Sequence, residues 1–292
     1  MDLMPAGLGP AEIHGRRLRW SAKRAGFKQR TADTEHGRLA YWEGGHGSPL
    51  LLVSGLAVEA LWQWDGQLAA LAQRHRIVAP DLVAHGGSAG AIHSPLETMV
   101  GRCASLMRQL GHHHYDVCGL SYGGFVALGL AREHRASVRR VAMSDCPGPA
   151  FTWDDYEALL ARFGVASIED LLLPPTPQGM RALVEIAWHR PPWLPDFVLA
   201  DVHARMFVHR RAEQLPVLHE VVEMVRNPPE IDCPHPTLIF WGEHDRVFPL
   251  ETGRRLASRL PDARVEVFPS TAHTPNIQQP RRFNRALLDF LA

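Results

Sequence analysis

The sequence has few cysteines and no long apolar run, and each shortage excludes a class of protein. Its 4 cysteines lie far apart along the chain, which is not the spacing of a disulfide framework, and we expect reduced, buried thiols. No apolar run reaches the roughly 18 residues that a membrane span needs, and residues 1–30 lack the apolar segment of a signal peptide. We therefore expect a cytoplasmic protein without a membrane span.

The sequence also lacks an excess of charge of either sign. Lysine plus arginine and aspartate plus glutamate number 31 each, so no overall field would draw the chain to nucleic acid. Basic residues do cluster near the start, between residues 16 and 30, with Trp20 and Phe27 among them. We expect residues 1–30 to form a solvated basic arm, and a weak contact with a lipid surface is the alternative.

Metal-ligand spacing is missing as well. The histidines at positions 112–114 have no carboxylate or cysteine partners nearby at ligand spacing. We therefore expect no functional metal site.

Short apolar runs alternate with helical patterns, which predicts an α/β fold: a mostly parallel sheet with helices on both faces. The predicted strands cover residues 38–42, 50–53, 77–81, 115–119, 139–144, 237–240 and 264–268. The alternation breaks at residues 148–231, where helical patterns and prolines replace strands. We expect residues 1–147 and 232–292 to form one core, with residues 148–231 inserted as a helical cap.

A nucleophile motif lies between two apolar runs, where the chain reads Gly-Leu-Ser-Tyr-Gly-Gly at positions 119–124. It follows the predicted strand 115–119 and precedes a predicted helix at 124–134, so Ser121 stands at a sharp strand-to-helix turn. Such a turn lifts a serine hydroxyl clear of the sheet, where a base and a carbonyl carbon can both reach it. The pattern predicts a nucleophilic serine.

A serine nucleophile needs a base and an orienting acid, and later loops of the chain supply both. Asp245 follows the predicted strand 237–240, and His273 follows the predicted strand 264–268. Because sites in open α/β sheets lie at the carboxyl ends of the strands, we expect both residues to meet Ser121 there. Asp145, which follows the strand 139–144, is the alternative acid, since it could reach the same histidine from another loop.

In these motifs and their order, the chain resembles the α/β-hydrolase family, and within it the bacterial lipases and monoacylglycerol lipases with a helical cap. Further matching segments are Glu-Gly-Gly at 43–45, Ala-Pro-Asp at 79–81, His-Gly-Gly-Ser at 85–88 and, more loosely, residues 190–195 and 280–284. The chain departs from the family at Ser-Gly-Leu, residues 54–56, where His-Gly usually precedes an apolar residue. The oxyanion donors expected from the family are the backbone N–H groups of Leu56 and Tyr122, which do not depend on that histidine.

The resemblance and the residue types together imply an esterase or lipase, such as a monoacylglycerol lipase, that works through an acyl-enzyme and needs no cofactor. The cap is rich in aromatic residues, which favours a small-molecule ester with an apolar acyl chain. We expect Trp153, Trp188, Trp193 and Phe207 to line its pocket. Carbon-carbon bond hydrolases and cofactor-free perhydrolases use the same triad and remain alternatives, as does a non-catalytic, ligand-binding hydrolase fold.

Overall fold

A computed structural model of the protein describes residues 9–35, 37–82, 86–89 and 95–292. Residues 1–8 of the expected arm and His85 of the His-Gly-Gly-Ser motif lie outside the described residues. Eight strands form one sheet: β1 Lys28–Thr34, β2 Gly37–Gly45, β3 Ser48–Val53, β4 His75–Pro80, β5 Tyr115–Leu120, β6 Val138–Ser144, β7 Thr237–Gly242 and β8 Ala263–Phe268.

The strand order across the sheet is β1-β2-β4-β3-β5-β6-β7-β8. The β2 strand pairs antiparallel with β1 and β4, and all other neighbours are parallel. The mostly parallel sheet is therefore confirmed. The prediction omitted β1, because this edge strand is largely exposed and lacks the apolar alternation that marks a half-buried strand.

The helices of the described residues are α1 Pro10–Arg24, α2 Ala60–Leu71, α3 Pro95–Gln109, α4 Tyr122–Glu133, α5 Trp153–Phe163, α6 Ile168–Leu172, α7 Pro177–Ala187, α8 Asp196–His203, α9 Arg211–Arg226, α10 Leu250–Ser258, α11 Pro275–Gln278 and α12 Pro280–Leu291. Helices α5 to α9 fall between β6 and β7, within residues 148–231, which we call the helical insert. Many of the basic residues expected in a solvated arm lie instead on α1, which packs against α2 through a buried face.

Each face of the sheet carries its own apolar cluster, because successive residues of a strand point to opposite faces. On one face, residues such as Leu51 and Val117 pack with α3, α4, α10 and the helical insert. On the other face, Leu50 and Phe240 pack with α1, α2 and α12. Helices therefore cover both faces of the sheet, as expected.

The parallel neighbours β3, β5, β6, β7 and β8 all end at one edge of the sheet. The segments that follow these strands carry, in spatial order, Leu56, Ser121, Asp145, Asp245 and His273. Residues far apart in sequence thus come to one edge, where open α/β sheets place their sites.

Candidate active site

Ser121 occupies the turn between β5 and α4 in a strained backbone conformation, with φ 52° and ψ −117°. A positive φ is uncommon for any residue except glycine and costs on the order of 1–3 kcal/mol. The surrounding structure holds the turn, since the Ser121 N–H donates to the Ser144 carbonyl at 2.8 Å and the Ser121 carbonyl accepts from the Gly124 N–H at 2.9 Å. Such strain is characteristic of functional positions, where it fixes a reactive side chain.

The glycines of the motif allow strand and helix to approach closely. A Cβ atom on Gly119 would lie 2.0 Å from the Gly123 carbonyl oxygen, and one on Gly123 would lie 2.2 Å from the Val53 carbonyl oxygen. Because real Cβ atoms do not come this close to backbone, both positions require glycine. The second contact also presses the start of α4 against the loop that follows β3.

A hydrogen bond joins His273 to Asp245. The Nδ1–H group of His273 donates to Asp245 Oδ2 at 2.8 Å, and the Asp245 side chain is fully buried. The other carboxylate oxygen, Oδ1, accepts from the N–H groups of Val247 at 2.8 Å and Phe248 at 3.1 Å. Three donors thus hold this carboxylate, and with Nδ1 protonated, Nε2 of the neutral ring is left to act as a base.

Asp145, the alternative acid, faces other partners. It is fully buried, its Oδ1 accepts from the Gly242 N–H at 2.8 Å, and its Oδ2 accepts from the Ser144 hydroxyl at 2.7 Å. Burial raises the pKa of Asp145 well above its usual range, and the nearby Asp245 carboxyl adds to the effect. Asp145 therefore holds a proton more readily than an exposed carboxyl group does, and Asp245 is the carboxyl group that faces His273.

Asp145, Asp245 and His273 lie close enough together to be considered as metal ligands. One donor atom from each of Asp145, Asp245 and His273 lies within 4.8 Å of the others. The oxygens of both carboxyl groups already accept hydrogen bonds, and His273 Nδ1 is already hydrogen-bonded to Asp245. This chemistry fits a hydrogen-bonded acid-base cluster better than a metal centre.

The segments that carry the two expected oxyanion donors both adjoin Ser121. Leu56 is in the loop after β3, where a Cβ atom on the neighbouring Gly55 would lie 3.5 Å from Ser121 Cβ. Tyr122 is the first residue of α4, whose N-terminal N–H groups carry a partial positive charge. The roles of both N–H groups in catalysis remain predictions.

The four aromatic residues expected to line a pocket have different surroundings. Phe207 is only 1 % exposed and belongs to the core, whereas Trp193 is 80 % exposed on the surface. Trp153 is partly buried, stacks on Tyr156 and donates from Nε1 to a glutamate one turn along α5, and Trp188 is half-buried. The assignment of these residues to a pocket remains a prediction, and the high exposure of Trp193 does not support a place for this residue in a pocket.

The helical insert contacts both loops that carry the acid and the base. His189 of the insert stacks on His244, the neighbour of Asp245, with ring centroids 4.2 Å apart. The carbonyl of Ala187 accepts a 3.1 Å hydrogen bond from the hydroxyl of Thr274, the residue after His273. Sequence patterns gave no signal for these contacts, because single histidines and threonines in loops are common.

A family model described as alpha/beta hydrolase fold matches residues 48–280. The chain belongs to the alpha/beta hydrolase fold family. Membership in this family supports hydrolase activity.

The chain is similar to relatives with different named activities. It is 30 % identical over 265 residues to a 2-hydroxy-6-oxo-2,4-heptadienoate hydrolase of Pseudomonas putida, covering 85 % of this chain and 90 % of the relative. A solved membrane phospholipase A has a TM-score of 0.81 at 23 % identity, covering 97 % of this chain and 91 % of that one. A meta-cleavage product hydrolase from Pseudomonas fluorescens IP01 has a TM-score of 0.73 at 23 % identity, covering 90 % and 97 %. The two structures support the shared fold.

The membrane prediction agrees with the helices. Within the part of the chain that the structure describes, no helix is long and apolar enough to cross a bilayer. The cytoplasmic location remains a prediction.

Proposed function

We propose that the protein is a serine hydrolase that cleaves carboxylic esters with apolar acyl groups. The observation that carries the proposal is the 2.8 Å hydrogen bond from His273 Nδ1 to the buried Asp245, which leaves Nε2 as the base. The strained turn that carries Ser121 lies at the same edge of the sheet.

In the proposed reaction, His273 Nε2 takes the Ser121 hydroxyl proton as the serine oxygen attacks the ester carbonyl carbon. The negative carbonyl oxygen of the tetrahedral intermediate accepts hydrogen bonds from the backbone N–H groups of Leu56 and Tyr122. The carbon-oxygen bond to the alcohol breaks, and the imidazolium returns its proton to the leaving alcohol. Water, activated by the same histidine, then hydrolyses the acyl-enzyme and releases the acid.

We further propose that the helical insert caps the site. Support comes from its contacts with the acid and base loops, through His189 and Ala187. The core beside the base is apolar, since the buried Phe248 ring lies 5.6 Å from the His273 ring and packs edge-on against Phe151 at the start of the insert. An apolar acyl group suits such surroundings better than a charged one.

Hydrolysis of a carbon-carbon bond is the second candidate, favoured by the 30 % identity to the Pseudomonas putida hydrolase of a heptadienoate. A dienoate carries a carboxylate, which needs a cation in the site. Arg205 and Arg210 of the helical insert line a small cavity together with Ala57, which follows Leu56. Arg205 is already paired with Glu59 at 2.9 Å, so a carboxylate substrate would compete with that ion pair. Arg210 donates to the Gly86 carbonyl at 3.1 Å. Because both arginines already have partners in the folded chain, we favour the ester.

A substrate comparison tests the proposal. We would measure kcat/KM for p-nitrophenyl esters of increasing acyl length, and for a 2-hydroxy-6-oxo-2,4-dienoate, with the wild-type protein and Ser121→Ala. The proposal predicts higher kcat/KM for an ester than for the dienoate, and a loss of roughly 10⁴- to 10⁶-fold in the variant. Faster dienoate cleavage would favour the carbon-carbon candidate, and near-normal ester turnover by Ser121→Ala would contradict both.

A further inference from the structure

The outward face of α1 repeats one unit twice: an exposed apolar residue followed three and four residues later by two cations. The units are Ile13 with Arg16 and Arg17, and Trp20 with Lys23 and Arg24. Residues three and four apart are neighbours on a helix, so each apolar side chain lies beside two cations of the next turn. Ile13 and Trp20 are 58 % and 60 % exposed.

The rest of the protein holds this helix firmly. The opposite side of α1 is buried at four small or apolar residues and packs on α2. Arg205 of the helical insert pairs with Glu12 of α1 at 3.3 Å and with Glu59, just before α2, at 2.9 Å. The outward face is therefore presented by a fixed helix.

Charge is concentrated around this face. The helix α1 itself contains five basic residues and one acidic residue, Glu12, in a chain whose net charge is zero. Two carboxylates offset part of the excess. Glu12 pairs with Arg16 at 3.1 Å and with Arg19 at 2.7 Å, and Asp65 of α2 lies 3.9 Å from Arg17. A local excess of positive charge remains and is complementary to an anionic surface.

We propose that the outward face of α1 docks on an anionic lipid surface. The Arg24 guanidinium lies 4.8 Å from the centre of the Trp20 ring, an indole-cation pair that fits the headgroup level, where indoles are enriched. Cations beside it attract anionic headgroups, and the Ile13 side chain can enter the acyl boundary. A nucleic acid would interact with the cations but offers no apolar environment for the exposed isoleucine. The combination of cations and apolar side chains therefore favours a lipid surface.

The helical insert lies beside the first turn of α1. The Ala11 N–H of α1 donates to Asp201 Oδ2 of α8 at 2.6 Å, and Phe197, one turn earlier on α8, is 66 % exposed. If the proposed ester activity is correct, docking through α1 would hold the protein at a source of apolar substrates. The docking itself does not depend on that activity.

Vesicle sedimentation tests the docking. The full chain is mixed with phosphatidylcholine vesicles, with and without phosphatidylglycerol, at low and high salt, and the bound fraction is measured. Two double variants change the outward face: Ile13→Ser with Trp20→Ser, and Arg17→Gln with Arg24→Gln. The control double variant is Arg132→Gln with Arg254→Gln, which changes exposed arginines of α4 and α10 on the other side of the sheet. We expect binding only to the anionic vesicles, weakened by salt, and a loss of about fivefold for each cation removed.

Three outcomes would overturn the proposal. One is equal binding to neutral and anionic vesicles, or no binding to either. Another is equal binding by the α1 variants and the control pair, with all variants showing wild-type circular dichroism and melting. The third is that the variants lose binding to duplex DNA, or lose self-association in sedimentation velocity, while the wild type ignores vesicles. Turnover of a soluble ester, measured in parallel, should be the same in every variant and reports separately on the proposed function.

Discussion

The choice between the two buried carboxyl groups can be tested by replacing each with asparagine. In Asp245→Asn, the N–H groups of Val247 and Phe248 would hold the amide oxygen at the Oδ1 position, which turns the NH₂ group toward His273. Nδ1 must then accept a hydrogen bond, so the proton moves to Nε2 and the base is lost. A triad with this wrong tautomer loses about 10⁴-fold in kcat.

In Asp145→Asn, the amide oxygen can still accept from the Gly242 N–H, and the NH₂ group takes the position of Oδ2. The Ser144 hydroxyl loses its acceptor, which costs about 1–3 kcal/mol of folding stability. Because His273 keeps its hydrogen bond to Asp245, we expect kcat/KM to fall far less than in Asp245→Asn. The assay is kcat/KM for a p-nitrophenyl ester across pH, with circular dichroism to verify folding. A larger loss in Asp145→Asn than in Asp245→Asn would refute the assignment of the acid.

Two further predictions concern stability and backbone packing. Burial raises the pKa of Asp81 from 3.8 to about 7, so its folded form holds a proton that the unfolded form releases, and stability should fall as pH rises from about 4 to about 7. The asparagine of Asp81→Asn can still accept from the Ala60 N–H, and the variant should not show this fall. At pH 8 its free energy of unfolding, measured with urea, should exceed that of the wild type by about 4 kcal/mol. Parallel pH profiles of the two proteins would contradict the prediction. Gly123→Ala would push a Cβ atom against the Val53 carbonyl oxygen and should abolish ester turnover. Gly111, at φ 75°, has open space around it, so the control variant Gly111→Ala should lose stability but keep turnover. Equal turnover in the two variants would count against the packing argument.

The fold was predictable because its signals are local and ordered. Each of Ser121, Asp245 and His273 follows a recognisable apolar strand, and parallel strands bring their carboxyl ends to one edge. The edge strand β1 was not predicted, since an exposed strand needs no apolar alternation.

Other features depend on packing that no local pattern records. Sequence patterns favoured Asp245 and kept Asp145 as the alternative acid, and the different hydrogen bonds of the two carboxyl groups are visible only in the folded chain. Likewise, Trp193 and Phe207 are both large and aromatic in the sequence, yet one is on the surface and the other in the core. Assigning pocket residues requires the path of the helical insert, which is set by long-range contacts.

Active-site labelling tests the central claim most directly. The protein would be incubated with an alkyl fluorophosphonate, digested, and examined by mass spectrometry for the modified residue. We predict one label per chain, on Ser121, with labelling slowed strongly in His273→Ala and prevented by prior incubation with an ester that accumulates as the acyl-enzyme. A folded protein that remains unlabelled, or that carries the label on another residue, would contradict the assignment of Ser121 as the nucleophile.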